Sequence, residues 1–208
     1  MARYTGPVCR LCRREKVKLF LKGPKCETVR CPMERRPSPP GEHGRDRLRQ
    51  PSEYNTQLRE KQKARRIYGV LETQFRNMYE EANRQSGVTG DNLLRMLESR
   101  LDNVVFRAGW GASRSQARQL VRHGHVRVSG KRVTIPSYRV RQGDQVELSE
   151  KAQEFIVVRH NLDTIDRRPP AWLEVEGGGS AVRVLSLPLR EQIDTQVREQ
   201  LIVELYSK

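Results

Sequence analysis

Apolar residues recur at helical spacing from Ser52 to Gly109. Ser52 is a candidate N-cap for a first helix, which runs to Gly69 as its C′ residue and carries few apolar positions: Leu58, Ala64, Ile67 and Tyr68. A second helix is predicted over 71–85, with Leu71, Phe75, Met78, Tyr79 and Ala82 on one face. A third, about 92–108, stripes Leu93, Leu97, Leu101, Val104 and Ala108 before Gly109 ends it. No helix sustains heptads, so these are packed helices rather than a coiled coil. Ser113 opens a fourth helix, and Gln116 three residues later completes a capping-box pattern. After Gly124 the period changes to two. Val126 and Val128 alternate with His125 and Arg127, Ser129-Gly130 supplies a turn, and Val133 starts the return strand. Further strands are predicted around 138–140, 145–148 and 155–158, and "AWLEVEGGGSAVRVLSL" reads as another hairpin. The tail "TQVREQLIVELYSK" fits both periods. A helix is favoured, packing back on the N-terminal helices through Val197, Leu201, Ile202 and Leu205.

Composition changes this picture in one respect. The 208 residues suffice for two modest domains, but only 36% are hydrophobic and 31% are charged. Forty Lys and Arg against 25 Asp and Glu leave a net charge of +15. Such an excess repels itself unless a polyanion neutralises it. Nucleic acid is the expected partner, ahead of an anionic membrane surface. No membrane association is expected, because apolar runs such as Phe155-Ile156-Val157-Val158 are too short to span a bilayer. "MARYTGPVCR" has no apolar core of a secretory signal, so a reducing cytoplasmic setting is expected.

That setting bears on the four cysteines. Cys9 and Cys12 form C-x₂-C, thirteen residues intervene, and Cys26 and Cys31 form C-x₄-C. Paired thiols joined by a loop suit a tetrahedral thiolate site, with structural zinc favoured over an iron–sulfur cluster, free thiols or disulfides. Neighbouring Arg10, Arg13, Arg14, Lys25 and Arg30 would favour thiolates. Four thiolates leave no position for a catalytic water. The run "RRPSPPGEHG" that follows excludes regular structure and reads as an extended linker or an RNA-hugging strand.

The stretch from Ser113 to Val133 holds six Arg or Lys and no carboxylate. Arg114, Arg118 and Arg122 recur every four residues and are expected to face outward together, anchored by Ala117, Leu120 and Val121. His123, His125, Arg127, Lys131 and Arg132 extend the set onto the hairpin. Guanidinium forks grip phosphate oxygens, and unpaired like charges on a helix cost stability without an anionic partner. Arg45, Arg47, Arg49, Arg59, Lys61, Lys63, Arg65 and Arg66 are expected to extend the same RNA footprint. The His123/His125 pair lacks a third ligand nearby and fits contact with RNA better than a metal or acid–base site.

"RLDNVVFRAGW", "SRSQARQLVRHGHVRVSGKRV", "PSYRVRQGD" and "EQLIVELYSK" resemble the bacterial small-subunit ribosomal protein S-four family. So do the opening "RY-x-GP" and "REKQKARRIYG", and Cys9, Cys12, Cys26 and Cys31 match its zinc-bearing form. The resemblance implies an α+β chain. Residues 1–45 would form a small zinc-binding knuckle and proline-rich linker. Residues 46–95 would form a mainly helical domain completed by 187–208. Residues 96–186, with a core at 98–148, would be an S-four-type RNA-binding domain of helices packed on a small, mostly antiparallel sheet. It further implies a primary binder of small-subunit ribosomal RNA at a multi-helix junction of the 5′ domain, nucleating assembly of the subunit body. Contact with ribosomal protein S-five, a part in decoding accuracy and a position near mRNA at its entry channel follow from the same resemblance.

Two other classes compete. Pseudouridine synthases use a similar module, and Arg100-Leu101-Asp102 reproduces a string that can carry a catalytic Asp. Here it continues as Asn103-Val104-Val105 within an amphipathic helix, and only about sixty residues follow the module, too few for a synthase domain. An Asp paired with nearby Arg is the better reading, and no enzyme is expected. A DNA-binding regulator is disfavoured because basic residues spread over linker, helices and module alike, which suits a folded RNA. "EGGGS" lacks the G-K-[ST] ending of a phosphate loop, so no small-molecule substrate is expected.

Overall fold

The computed structural model describes residues 3–46, 50–165 and 168–207. By internal contacts the chain divides into two units: Met1–Asn92 with Thr195–Lys208, and Leu93–Asp194.

The first unit is helical. Short helices α1 (Cys9–Glu15) and α2 (Pro32–Arg35) precede α3 (Glu53–Ile67) and α4 (Glu72–Arg84), and α5 (Thr89–Glu98) begins here. Ser52 caps α3 as expected, its hydroxyl accepting the Asn55 amide at 3.3 Å. Phe75, Met78, Tyr79 and Ala82 are buried on α4. The tail is helical: α10 (Glu199–Tyr206) packs on α3, buries Ile202, and stacks Tyr206 on Tyr79 at 4.6 Å between ring centroids. The Gln57 side-chain amide of α3 donates to Glu204 at 3.1 Å. The proline run is not a free linker. Arg13 of α1 donates to the Ser38 and Pro39 carbonyls at 2.8 and 3.3 Å, Pro39 is buried, and Glu42–Arg45 forms a short 3-10 turn.

In the second unit, α6 (Leu101–Arg107) and α7 (Arg114–Arg122) precede a hairpin of β1 (Val126–Val128) and β2 (Lys131–Arg132). Then follow β3 (Gln145–Leu148), α8 (Glu150–Gln153), α9 (Ile156–Thr164), β4 (Leu173–Glu176) and β5 (Ala181–Val184). Among the described residues the strands form one antiparallel sheet in the order β2-β1-β3-β5-β4. Val126, Val128, Val146, Leu148, Val182 and Val184 turn inward and join Leu101, Val104, Val105, Trp110, Val121 and Trp172 in one core. Alternation on the strands and helical spacing on α6 and α7 thus meet in a single apolar layer. Among the described residues no helix is long and apolar enough to cross a membrane.

Three expected elements require correction. The single helix over 92–108 breaks at Ser99–Arg100, where the backbone is captured by the segment at 138–140. The Leu101 amide donates to the Tyr138 carbonyl at 2.8 Å and the Val140 amide to the Ser99 carbonyl at 2.9 Å. Arg100 is therefore extended, bridging Arg139, and 138–140 forms only that isolated bridge. The strand expected at 155–158 is the start of α9. There Val158 and Asn161, one helical turn apart, are buried, and the Asn161 side chain donates to the Trp110 carbonyl at 3.0 Å. Tertiary contacts override the strand preference of Ile156-Val157-Val158.

Candidate nucleic-acid interface

The site is built on the α7–β1–β2 segment. Ser113 caps α7, its hydroxyl accepting the Gln116 backbone amide at 3.4 Å, while the Gln116 side-chain oxygen Oε1 accepts the Ala112 backbone amide at 2.6 Å, one residue earlier than in a standard capping box. Ala117 and Val121 face the core. Gly124, at φ 74°, ends the helix, and a Cβ there would collide with the Arg132 guanidinium, which reaches over it to donate to the His123 carbonyl at 3.3 Å. Ser129 and Gly130, with φ of 48° and 78°, make the tight hairpin turn.

The three arginines of α7 do not share an outward face, contrary to expectation. Arg122 is exposed. Arg114 is half-buried, with its guanidinium 4.3 Å over the Phe106 ring and its Nε donating to Asn103 at 2.9 Å. Arg118 is buried beside Asp102, donating to its carboxylate at 3.0 Å. Position 118 adjoins Ala117, whose side chain faces the core, so its stem follows the helix inward and the buried carboxylate receives its charge. The same carboxylate takes two hydrogen bonds from Arg100, at 3.0 and 2.8 Å. This is the Asp–Arg pairing expected at Arg100-Leu101-Asp102. Burial lowers the affinity of Arg118 for its proton, and Asp102 works against that. A second set of ion pairs surrounds Arg107, which is buried with Glu98 while Asp194 is exposed. Arg107 donates to Glu98 at 3.0 and 2.8 Å and to Asp194 at 2.9 and 2.5 Å. The two carboxylates outweigh the effect of burial and hold Arg107 charged.

On the hairpin, Arg127, Lys131 and Arg132 are exposed, as is His123. Arg127 stands opposite both Arg132 and Glu147. Residues directly opposite in a ladder share a face, so this outer face runs from Arg132 and Arg127 to Glu174 and Glu176 on β4. Its positive end is the hairpin. His125 packs edge-on against Phe155 at 4.8 Å and lies 6.1 Å from His123. Partial burial, then the nearby charges of His123, Lys151 and Arg132, push its pKa down.

The cations expected on α3 are placed differently. Lys61 is buried and donates to Glu72 at 2.6 Å; Arg65 reaches the same carboxylate at 2.9 Å. Arg59, at 3.1 Å, and Arg66 both donate to Glu15, whose side chain is 2% exposed, and Lys63 meets Glu60 at 2.7 Å. Each is neutralised within the unit. Glu15 and Glu72 are the partners that sequence reading missed. Glu72 lies just past the Gly69 turn, where a return helix brings it back along α3; nothing local announces Glu15. Arg45 is exposed, and Arg47 and Arg49 lie outside the described residues.

Cys9, Cys12, Cys26 and Cys31 line one pocket with Val8, Leu21, Lys22, Lys25, Pro32 and Met33. All four are free thiols, and all but Cys9 are buried. Backbone amides point at two of the sulfurs: Leu19 at Cys12, and Lys22 at Cys26 at 3.3 Å. Burial, more than neighbouring thiols, pushes the Cys12 and Cys26 pKa values up. The donor set suits a thiolate metal, yet among the described residues no three His, Cys, Asp or Glu side chains are arranged to hold an ion.

A helix pair and a basic hairpin on an antiparallel sheet, with Arg122, Lys131 and Arg132 exposed at one end, define a nucleic-acid-binding module. Residues 3–98 match the family described as Ribosomal protein S4/S9 N-terminal domain, and residues 99–146 match the S4 domain. Over the full length of both chains, the sequence is 63% identical to small ribosomal subunit protein uS4 of Acidothermus cellulolyticus. Identity is 58% to that of Pelotomaculum thermopropionicum and 56% to that of Thermus thermophilus, again over whole chains. The chain belongs to the uS4 family of small ribosomal subunit proteins. The family is one of structural ribosomal proteins, not of enzymes.

Proposed function

We propose that this chain is a structural constituent of the small ribosomal subunit in the cytoplasm, held there by ribosomal RNA on its basic face. One observation carries the reading within the family. Arg122, Arg127, Lys131 and Arg132 are exposed in a stretch without a carboxylate from Ser113 to Val133. Such cations contact phosphate oxygens, and His123 and His125 beside them can hydrogen-bond phosphate or stack on a base. Arg45, Arg47 and Arg49 are assigned to the same footprint. Arg114, Arg118 and the cations of α3 belong to its support, since their charges are engaged within the protein. In finer detail, the chain is a primary binder at a multi-helix junction that nucleates assembly of the subunit body. Its further contacts are ribosomal protein S-five, through which it contributes to decoding accuracy, and mRNA near the entry channel. The RNA-binding domain is taken as 96–186.

Cys9, Cys12, Cys26 and Cys31 would hold a structural zinc, which would supply a cross-link in a segment with few apolar side chains. Their convergence on one pocket and the two amide–sulfur hydrogen bonds support this assignment. Metal analysis of the purified chain tests it.

The ribosomal reading is tested by sedimenting a lysate. The chain is expected to travel with small subunits and to leave them at high salt, as phosphate-dominated binding requires. Recovery only in the soluble pool would overturn it.

A further inference from the structure

The loop between α1 and the 3-10 turn Gly23–Cys26 is built around two sulfurs. Lys16 leaves α1 in the left-handed conformation (φ 57°), and the Val17 amide returns to the Cys12 carbonyl at 3.3 Å. The Leu19 amide donates to the Cys12 sulfur and the Lys22 amide to the Cys26 sulfur. Leu19 is buried at 3% exposure, whereas Phe20, the next residue, is 47% exposed. Phe20 also adopts a left-handed backbone, φ 50°, a strained conformation for a bulky side chain. The loop therefore tucks Leu19 inward and holds an aromatic ring outward between its two sulfur anchors. An asparagine or glycine would take that backbone conformation at less cost, so folding alone does not favour phenylalanine here.

The surroundings narrow the partner. Between Lys16 and Cys26 there are four lysines, Lys16, Lys18, Lys22 and Lys25, and no carboxylate. Lys18 is paired with Glu34 at 2.5 Å, while Lys16, Lys22 and Lys25 are exposed. An exposed ring in a cationic loop matches the recognition of single-stranded nucleic acid, in which cations follow the backbone and aromatic faces stack on unpaired bases. We propose that Phe20, exposed on the cysteine-anchored loop, stacks on an unpaired base of the bound RNA, with Lys16, Lys22 and Lys25 against the flanking phosphates. The proposal rests on the ribosomal RNA reading and adds a non-electrostatic contact in the first unit.

The test compares Phe20→Gly and Phe20→Trp with the wild-type chain, binding a transcript of the 5′ domain of small-subunit ribosomal RNA across a salt series. Glycine removes the ring while relieving the left-handed strain, so the thermal midpoint should not fall. Its affinity should drop roughly five- to 150-fold, the range of one base–aromatic stack, with an unchanged log–log salt slope. Phe20→Trp should bind within about twofold of wild type, and its emission should be quenched by the RNA; Trp110 and Trp172 are fully buried and give a separate background. Wild-type affinity in Phe20→Gly, or a loss accompanied by a shallower salt slope, would overturn the stacking assignment alone. Failure of the wild-type chain to bind the transcript would overturn the ribosomal reading and the stacking with it.

Discussion

Helix α3 and the α7–β1–β2 segment look alike in sequence, both dense in Arg and Lys, but the fold treats them in opposite ways. Between residues 59 and 66, five cations stand on α3, and every one reaches a carboxylate: Glu15, Glu60 or Glu72. Along α7 and the hairpin, inward-turned Arg118 takes a buried carboxylate, whereas Arg122, Lys131 and Arg132 stand at the surface of a stretch without acidic residues. A basic run therefore announces a polyanion site only after the carboxylates that the fold brings to it have been counted. Two of the three on α3 come from other helices. The unneutralised set on the hairpin is the better measure of where RNA binds.

The largest expected effect tests the buried exception. Asp102→Ala leaves Arg100 and Arg118, with side chains 3% and 7% exposed, without their shared carboxylate. Breaking a buried ion pair from one side costs about 3–5 kcal/mol. Urea unfolding is expected to show a loss of that size, partly recovered when Arg118→Met is added to the same chain. A loss below about 1 kcal/mol, the scale of a surface pair, would return Arg118 to the RNA-facing set.

Much of this comparison was legible before the structure. The hairpin was written in Val126 and Val128 with Ser129-Gly130 between the strands, and the cap of α7 in Ser113 and Gln116, because period and turn chemistry are local properties. The inward turn of Arg118 was not legible: its i, i+4 spacing is the same whether a guanidinium meets phosphate or Asp102. Periodicity also ran straight through Ser99 and Arg100, since the backbone partners that break the helix there lie near residues 138–140. Likewise Arg59 and Arg66 of α3 read as part of a footprint because Glu15 lies more than forty residues away in sequence. What the sequence concealed was in each case a long-range partner for a polar group.

A salt series sharpens the contrast between the two regions. Arg132→Ala should leave stability nearly unchanged and flatten the log–log salt dependence of RNA affinity by about 0.7–0.9, one phosphate contact. Arg65→Ala removes a cation already held by Glu72 and should leave the slope unaltered. Equal changes for the two variants would erase the distinction between neutralised and free cations.

The smallest expected effect concerns His125, at the junction of α7 and β1. Its ring lies against Phe155, and burial first, with the charges of His123, Lys151 and Arg132 after it, depresses its pKa from the ordinary histidine value. The unfolded chain therefore binds this proton more readily than the folded one. The resulting contribution to stability is present above about pH 6.5, the unfolded histidine range, and is lost as pH falls through the folded value. Thermal midpoints at pH 7.5 and pH 5 should differ less in His125→Gln than in the wild-type chain. RNA binding reverses the sign of the field, because phosphates favour the protonated ring, so the bound complex should lose less on acidification than the free protein. An unchanged pH dependence in the variant would place the proton uptake elsewhere, and equal losses in free and bound states would put His125 away from the phosphates.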